Sequence, residues 1–182
     1  MLLLTLLLAL LLAAVATDLR SRRIPNTLVL AGIALALMAH GLALSGIGQP
    51  LAGATWWAPL AGLATGLAAL MPLYLLRALG AGDVKLMAMV GAFLGLNSTL
   101  YAVLLVFICG GLSALAYSAW RHSLQQLFSN VQLKLRTLLV SSFGGLQPHA
   151  AMAGPSAGRL PYAVSISLGT LIFLLARQLG YA

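Results

Sequence analysis

The chain has 182 residues, 62% of them hydrophobic and only 7% charged, with a mean hydropathy of +1.03. Soluble domains hold roughly 45–50% apolar residues, so the composition excludes an ordinary soluble fold and points to an integral membrane protein. Ten Lys and Arg stand against two acids, and the cations sit in short gaps between apolar runs rather than in an aromatic-interleaved patch. That pattern reads as membrane topology and excludes a nucleic-acid partner. Cys109 is the single cysteine, which excludes an internal disulfide and a CxxC zinc pair and leaves packing as its role.

Taken in chain order, six segments are apolar enough to span a bilayer: 2–17, 27–44, 57–76, 84–96, 99–120 and 160–179. The first and fourth are short for a hydrocarbon core of about 30 Å, which thinning of the bilayer or snorkelling flanks accommodate. The first contains LLLALLLAAVATD, which looks like a signal peptide ending at Ala14-Val15-Ala16. No positive stretch precedes it and the charges follow it, so the expectation is an uncleaved helix with its N-terminus outside. The spacings Gly62/Gly66 and Gly91/Gly95 predict close helix–helix approach. Trp56, Trp57 and Trp120 fall at span ends, as interfacial anchors do. Asn97-Ser98-Thr99 reads as a tight turn between the fourth and fifth spans. His40, His122 and His149 have no spacing that makes a metal site, so structural or surface roles are expected for them and no metal or cofactor.

Beyond the fifth span, Leu124, Leu127, Phe128, Val131, Leu135, Leu138 and Leu139 recur at helical spacing opposite Gln125, Gln126, Asn130, Gln132 and Arg136. This predicts an amphipathic helix lying on the cytoplasmic face of the membrane lipid. The Gly-, Pro- and Ser-rich run SSFGGLQPHAAMAGPSAG then reads as a connection. A plain connector and a gate for substrate are both open for this stretch of about 121–159. The predicted architecture is all-α: one membrane-embedded domain over 1–182, with six transmembrane helices and the interfacial helix.

Charge alternates along the gaps. Arg20, Arg22 and Arg23 follow the first span, Arg77 and Lys85 flank the third gap, and Arg121, Lys134, Arg136 and Arg159 occupy the fifth. The second and fourth gaps carry no cation. By the positive-inside rule the odd gaps face the cytoplasm and both termini face out, with Arg177 the one dissenting cation.

Asp18 and Asp83 are the whole acidic side-chain inventory, and both fall at span ends on the predicted cytoplasmic side. A carboxylate within a span costs about 2.5–3.5 kcal/mol on insertion scales, so such groups are paired, hydrated or functional. The helix N-terminus at Asp83 and the nearby Lys85 favour its ionised form, against the effects of burial and of a second carboxylate. Two carboxylates brought together share a proton, one activating water while the other donates to a carbonyl oxygen. The plain alternative pairs Asp18 with Arg20, Arg22 or Arg23 and Asp83 with Lys85. A small transporter or channel using both acids as proton or cation sites is the rival of another class, and an inactive scaffold is a third.

At these residues the sequence resembles a known family. Gly80-Ala81-Gly82-Asp83-Val84-Lys85 is similar to the GxGDxK motif of type IV prepilin peptidases, which are membrane aspartic proteases. Asp18 followed by Ile24-Pro25-Asn26 resembles their other motif, and Pro161-Tyr162 resembles a Pro-Tyr motif near their C-terminus. The resemblance implies cleavage of the short basic leader of prepilin or pseudopilin substrates at the cytoplasmic face, with Asp18 and Asp83 as the catalytic pair. It further implies that Gly80 and Gly82 shape the loop, that Lys85 is a neighbouring cation, and that Pro25 and Asn26 form the turn after Asp18. Read from the residues alone, Pro25 starts the second helix, Asn26 caps it, and Pro161 and Tyr162 are a helix start and an interfacial aromatic. The chain lacks the cysteine-bearing N-terminal insertion of the larger members, which also N-methylate the pilin. It looks like the short, peptidase-only members of tight-adherence (Flp-type) pilus systems.

Overall fold

A computed structural model describes residues 2–46, 51–53, 55–76, 78–120, 132 and 162–180. The chain divides into two units, Met1–Gly110 with Pro161–Ala182, and Gly111–Leu160. Pro161, Arg77 and the expected interfacial helix lie outside the described residues. Among the described residues there are six α-helices and no strand: α1 Leu2–Ser21, α2 Asn26–Leu44, α3 Ala58–Leu75, α4 Ala81–Leu94, α5 Leu96–Trp120 and α6 Tyr162–Gln178.

Four of these helices, α1, α2, α3 and α5, are long and apolar enough to cross a membrane. At 1.5 Å per residue, α4 with 14 residues reaches about 21 Å and α6 with 17 about 26 Å. Leucines stand outward on several helices: Leu30 and Leu42 on α2, Leu100 and Leu104 on α5, Leu168 and Leu175 on α6. Outward-facing leucine is what a lipid solvent permits and water does not.

The shortest helix is the centre. Every residue of α4 from Leu86 to Leu94 is buried, as suits a helix that is apolar on all sides. α3 packs along it most extensively, and α2, α6 and α1 also touch it. In lipid, burying leucine gains little over leaving it among acyl chains, so close van der Waals fit carries the packing. The predicted glycine spacings supply that fit. A Cβ on Gly62 would strike the Gly91 carbonyl, one on Gly91 would strike the Gly62 carbonyl, and one on Gly66 would strike the Met87 carbonyl. The two backbones therefore run in direct contact. α5 meets α6 in the same manner, with Gly169 set against the Val106 backbone, where an added Cβ would come within 2.6 Å.

Two expectations need correction. Asn97-Ser98-Thr99 is not a turn: α5 already begins at Leu96, and the chain reverses at the single residue Gly95, whose φ is +76°. The Thr99 N–H and hydroxyl both donate to the Gly95 carbonyl, at 3.0 and 2.5 Å. The left-handed glycine does the turning, so the polar triplet is free to form the first helical turn. Likewise α1 outlasts its apolar run by a turn, ending at Ser21. Arg22 then adopts φ +51° and donates its N–H to the Asp18 carbonyl at 2.8 Å, a left-handed C-terminal cap built without glycine.

At the opposite end of the unit from the acids, His40 is 6% exposed and its Nε2 donates to the Thr55 carbonyl at 2.9 Å. That is the structural role its isolation in the sequence suggested. Arg177, the dissenting cation, reaches the Leu51 carbonyl at 3.4 Å on this same end. Trp56 and Trp57 stand exposed beside the start of α3.

Candidate active site

Asp18 points inward because of where it falls on α1. Leu7, Leu11, Ala14 and Asp18 follow steps of four, three and four residues, and all are buried, so the carboxylate continues the stripe that packs α1 on its neighbours. It is 8% exposed, and its Oδ2 is buried without a hydrogen-bond partner among the described residues. A carboxylate oxygen in that state is costly unless a proton, a water or a substrate group meets it.

Asp83 is held differently. It is the third residue of α4 and reaches back to the residue that starts the helix: the Gly80 N–H donates to Asp83 Oδ2 at 3.0 Å, while the Asp83 N–H donates to the Gly80 carbonyl at 3.2 Å. This reciprocal pair satisfies two of the donors that a helix N-terminus leaves open. Asp83 precedes the expected span 84–96, and its pKa is raised from 3.8 to about 6. Partial burial raises it most, the Gly80 N–H opposes that by favouring the anion, and the charge of Asp18 raises it further. The helix and motif ends thus bring the chain's two acids within electrostatic reach of each other.

The surrounding motif residues also meet. Ile24 lies over Gly82, where an added Cβ would come 3.3 Å from the Ile24 Cβ. Lys85 Nζ donates to Asn26 Oδ1 at 2.9 Å. The IPN segment and the GxGDxK segment, almost sixty residues apart, therefore touch at two points. Pro25 takes an extended conformation just before α2 (φ −62°, ψ 132°), and Asn26 opens the helix without capping it, since no side-chain cap bond forms there. Its amide oxygen goes to Lys85 instead. Tyr162 opens α6 with its hydroxyl packed on Gly110, where a Cβ would come within 2.6 Å, and it lies in electrostatic reach of Asp83 and Cys109.

The plain alternative for the acids does not hold. Among the described residues neither carboxylate is in an ion pair; Lys85, two residues beyond Asp83 on one helix, points away from it. The two glycines of the motif differ in what surrounds them. Neither Gly80 nor Gly82 has a positive φ; a Cβ on Gly82 would be tight against Ile24, and one on Gly80 would only touch Asp83 Oδ2 at an ordinary 3.4 Å. Sequence reasoning did not single out Ile24 as a site residue or Arg22 as the bend after Asp18. Ile24 was legible as part of IPN, whereas nothing in the sequence marks Arg22 for a left-handed turn. Among the described residues no group of three or more His, Cys, Asp or Glu gathers to hold a metal ion.

With this geometry in hand, comparison with protein families gives one decisive match. The model of the type IV leader peptidase family matches residues 5–115. The chain belongs to that family. The matched stretch contains both acids, the IPN turn and all of α4. Comparisons with curated proteins and with solved structures gave no match. As a leader peptidase family member with four helices able to cross a bilayer, the chain is a membrane protein of protease type, and prepilin-type proteins are its general substrate class.

Proposed function

We propose that this chain is an aspartic endopeptidase of the bacterial cytoplasmic membrane. It removes the short basic leader from Flp-type prepilins at the cytoplasmic face, with Asp18 and Asp83 as the catalytic pair and six spans carrying the site. The single observation that supports this most is the pairing of a buried, unpartnered Asp18 oxygen with a second carboxylate whose proton affinity Asp18 already perturbs. One acid can then hold a proton while the other is an anion.

In the proposed reaction the anionic member takes a proton from water, and the oxygen attacks the scissile carbonyl carbon. The protonated member donates to the carbonyl oxygen, giving a neutral gem-diol. Return of a proton to the departing amine breaks the C–N bond and leaves a carboxyl terminus on the leader and an amino terminus on the pilin. As the gem-diol collapses, one of its hydroxyl protons passes to the other carboxylate, and the dyad regains its single shared proton. The apolar helix following the leader would lie in lipid beside the enzyme, which brings the cleavage point to the end of the unit where the acids stand.

The test is co-expression with a small prepilin that carries a basic leader and an apolar helix. Wild type shortens it on a gel, and Asp18→Ala and Asp83→Ala each abolish the shift. Normal processing by either variant ends the dyad reading.

A further inference from the structure

One contact at the polar end has no part in the chemistry just described. Lys85 on α4 donates to Asn26 at the start of α2, and beside it Ile24 covers Gly82. The connection between α1 and α2 is therefore fastened to the first turn of α4 by one polar and one apolar contact. Its other end is bent back by the left-handed Arg22, whose N–H holds the Asp18 carbonyl. Asp18 thus sits immediately before a short, bent connection whose far end is tied on both sides of Asp83, at Gly82 and at Lys85.

We propose that Lys85 and Asn26 are a positioning pair: with Ile24 on Gly82, their hydrogen bond holds the Asp18-bearing end of α1 in register with the Asp83-bearing turn of α4. Lys85 acts through Asn26 and not as a counter-ion to Asp83, because residues two apart on a helix do not face each other. The need for such a fastening is physical. Among the described residues Asp18 Oδ2 has no bond to orient it, and lipid provides little hydrophobic force to press helix ends together. A polar bond in the interfacial layer supplies a direction that packing alone does not. Being exposed, it is modest, so its loss shifts the geometry of the acids without unfolding the helices.

This inference rests on the peptidase reading, and two arms keep their failures apart. The first is steady-state cleavage of a prepilin by the purified full chain in bilayers. Lys85→Met and Asn26→Leu each lower kcat about threefold to tenfold with KM little changed, and the double variant is no slower than the worse single one. Asn26→Asp, which keeps the acceptor, restores most of the rate. Losses that multiply in the double variant, or a loss in KM alone, overturn the pair. The second arm reads no activity. In a Cys109→Ser background, Ile24→Cys with Gly82→Cys places two Cβ atoms at about disulfide distance, and mild oxidation in membranes forms the crosslink. Adding Lys85→Met slows its formation about threefold or more; an unchanged rate overturns the clamp. If wild type cleaves no prepilin while the crosslink behaves as described, the peptidase reading falls and the clamp stands.

Discussion

The two ends of α4 are built on opposite principles. Its later part, Met87 to Gly95, lies backbone to backbone against α3 through Gly62 and Gly66, with every residue buried and the fit set by carbonyl oxygens that have nowhere to move. Its first turn is partly exposed and is held by a few polar atoms, Gly80 N–H on Asp83 and Lys85 on Asn26, while Asp18 Oδ2 has no hydrogen-bond partner among the described residues. The seam trades adaptability for a rigid axis. The polar end leaves Asp18 Oδ2 without a protein partner among the described residues, so that it is open to a water or a substrate carbonyl.

That contrast can be broken in measurable ways, and the largest effect belongs to the polar end. Asp18→Asn and Asp83→Asn should each lower prepilin cleavage at least about a hundredfold while leaving the unfolding temperature in detergent unchanged or higher, because each removes a poorly satisfied charge. A large loss of stability in Asp18→Asn would mean that the acid is a structural element. The seam should answer in reverse. Gly91→Ala and Gly62→Ala each force a methyl onto a backbone carbonyl, costing about 1–3 kcal/mol in reversible unfolding. Gly80→Ala, which meets only an ordinary contact, should stay within about 0.5 kcal/mol.

Titration gives the next effect. The pKa of Asp83 is raised from 3.8 to about 6, so the folded state binds its proton more tightly than the unfolded chain does. Its stabilising contribution is therefore fully present below about 3.8 and is lost as pH rises through about 6, beyond which the dependence is flat. Unfolding followed from pH 4 to pH 7 should show this slope in wild type and lose it in Asp83→Asn. The acid limb of kcat/KM should fall near pH 6 rather than near 4 if the Asp83 anion is what takes the proton from water. A small gain lies at the bend. Arg22→Gly relieves a left-handed conformation in a non-glycine residue and should stabilise the fold by about 0.5–1 kcal/mol in thermal unfolding.

Much of this was legible in the residues. The glycine spacings on α3 and α4 foretold a close seam, and His40, alone in an apolar run, proved to be a satisfied structural histidine. The helix positions were close, with ends displaced by a few residues, because apolar periodicity reports burial while the helix end is set by local backbone geometry. Arg22 and Gly95 show this: one ends α1 a turn past its apolar run, the other absorbed a whole expected turn. Where Lys85 was expected as a charge beside Asp83, the partner is Asn26, since adjacency in sequence is not adjacency on a helix face.

By itself the sequence determined what local chemistry can determine: apolar helices with cations in alternate gaps, two lone acids at span ends, and glycines spaced for close approach. It also carried, in GAGDVK and IPN, enough to indicate the family. Only the tertiary structure decided that α4 is buried on all sides, that Ile24 covers Gly82, that Asn26 serves Lys85 rather than its own helix, and that Asp18 Oδ2 is buried with no hydrogen-bond partner among the described residues. The reason is that helix formation and membrane partition depend on neighbours a few residues away. Which polar atoms meet across nearly sixty residues depends on how five helices fit together at once, and no single stretch of the chain contains that information.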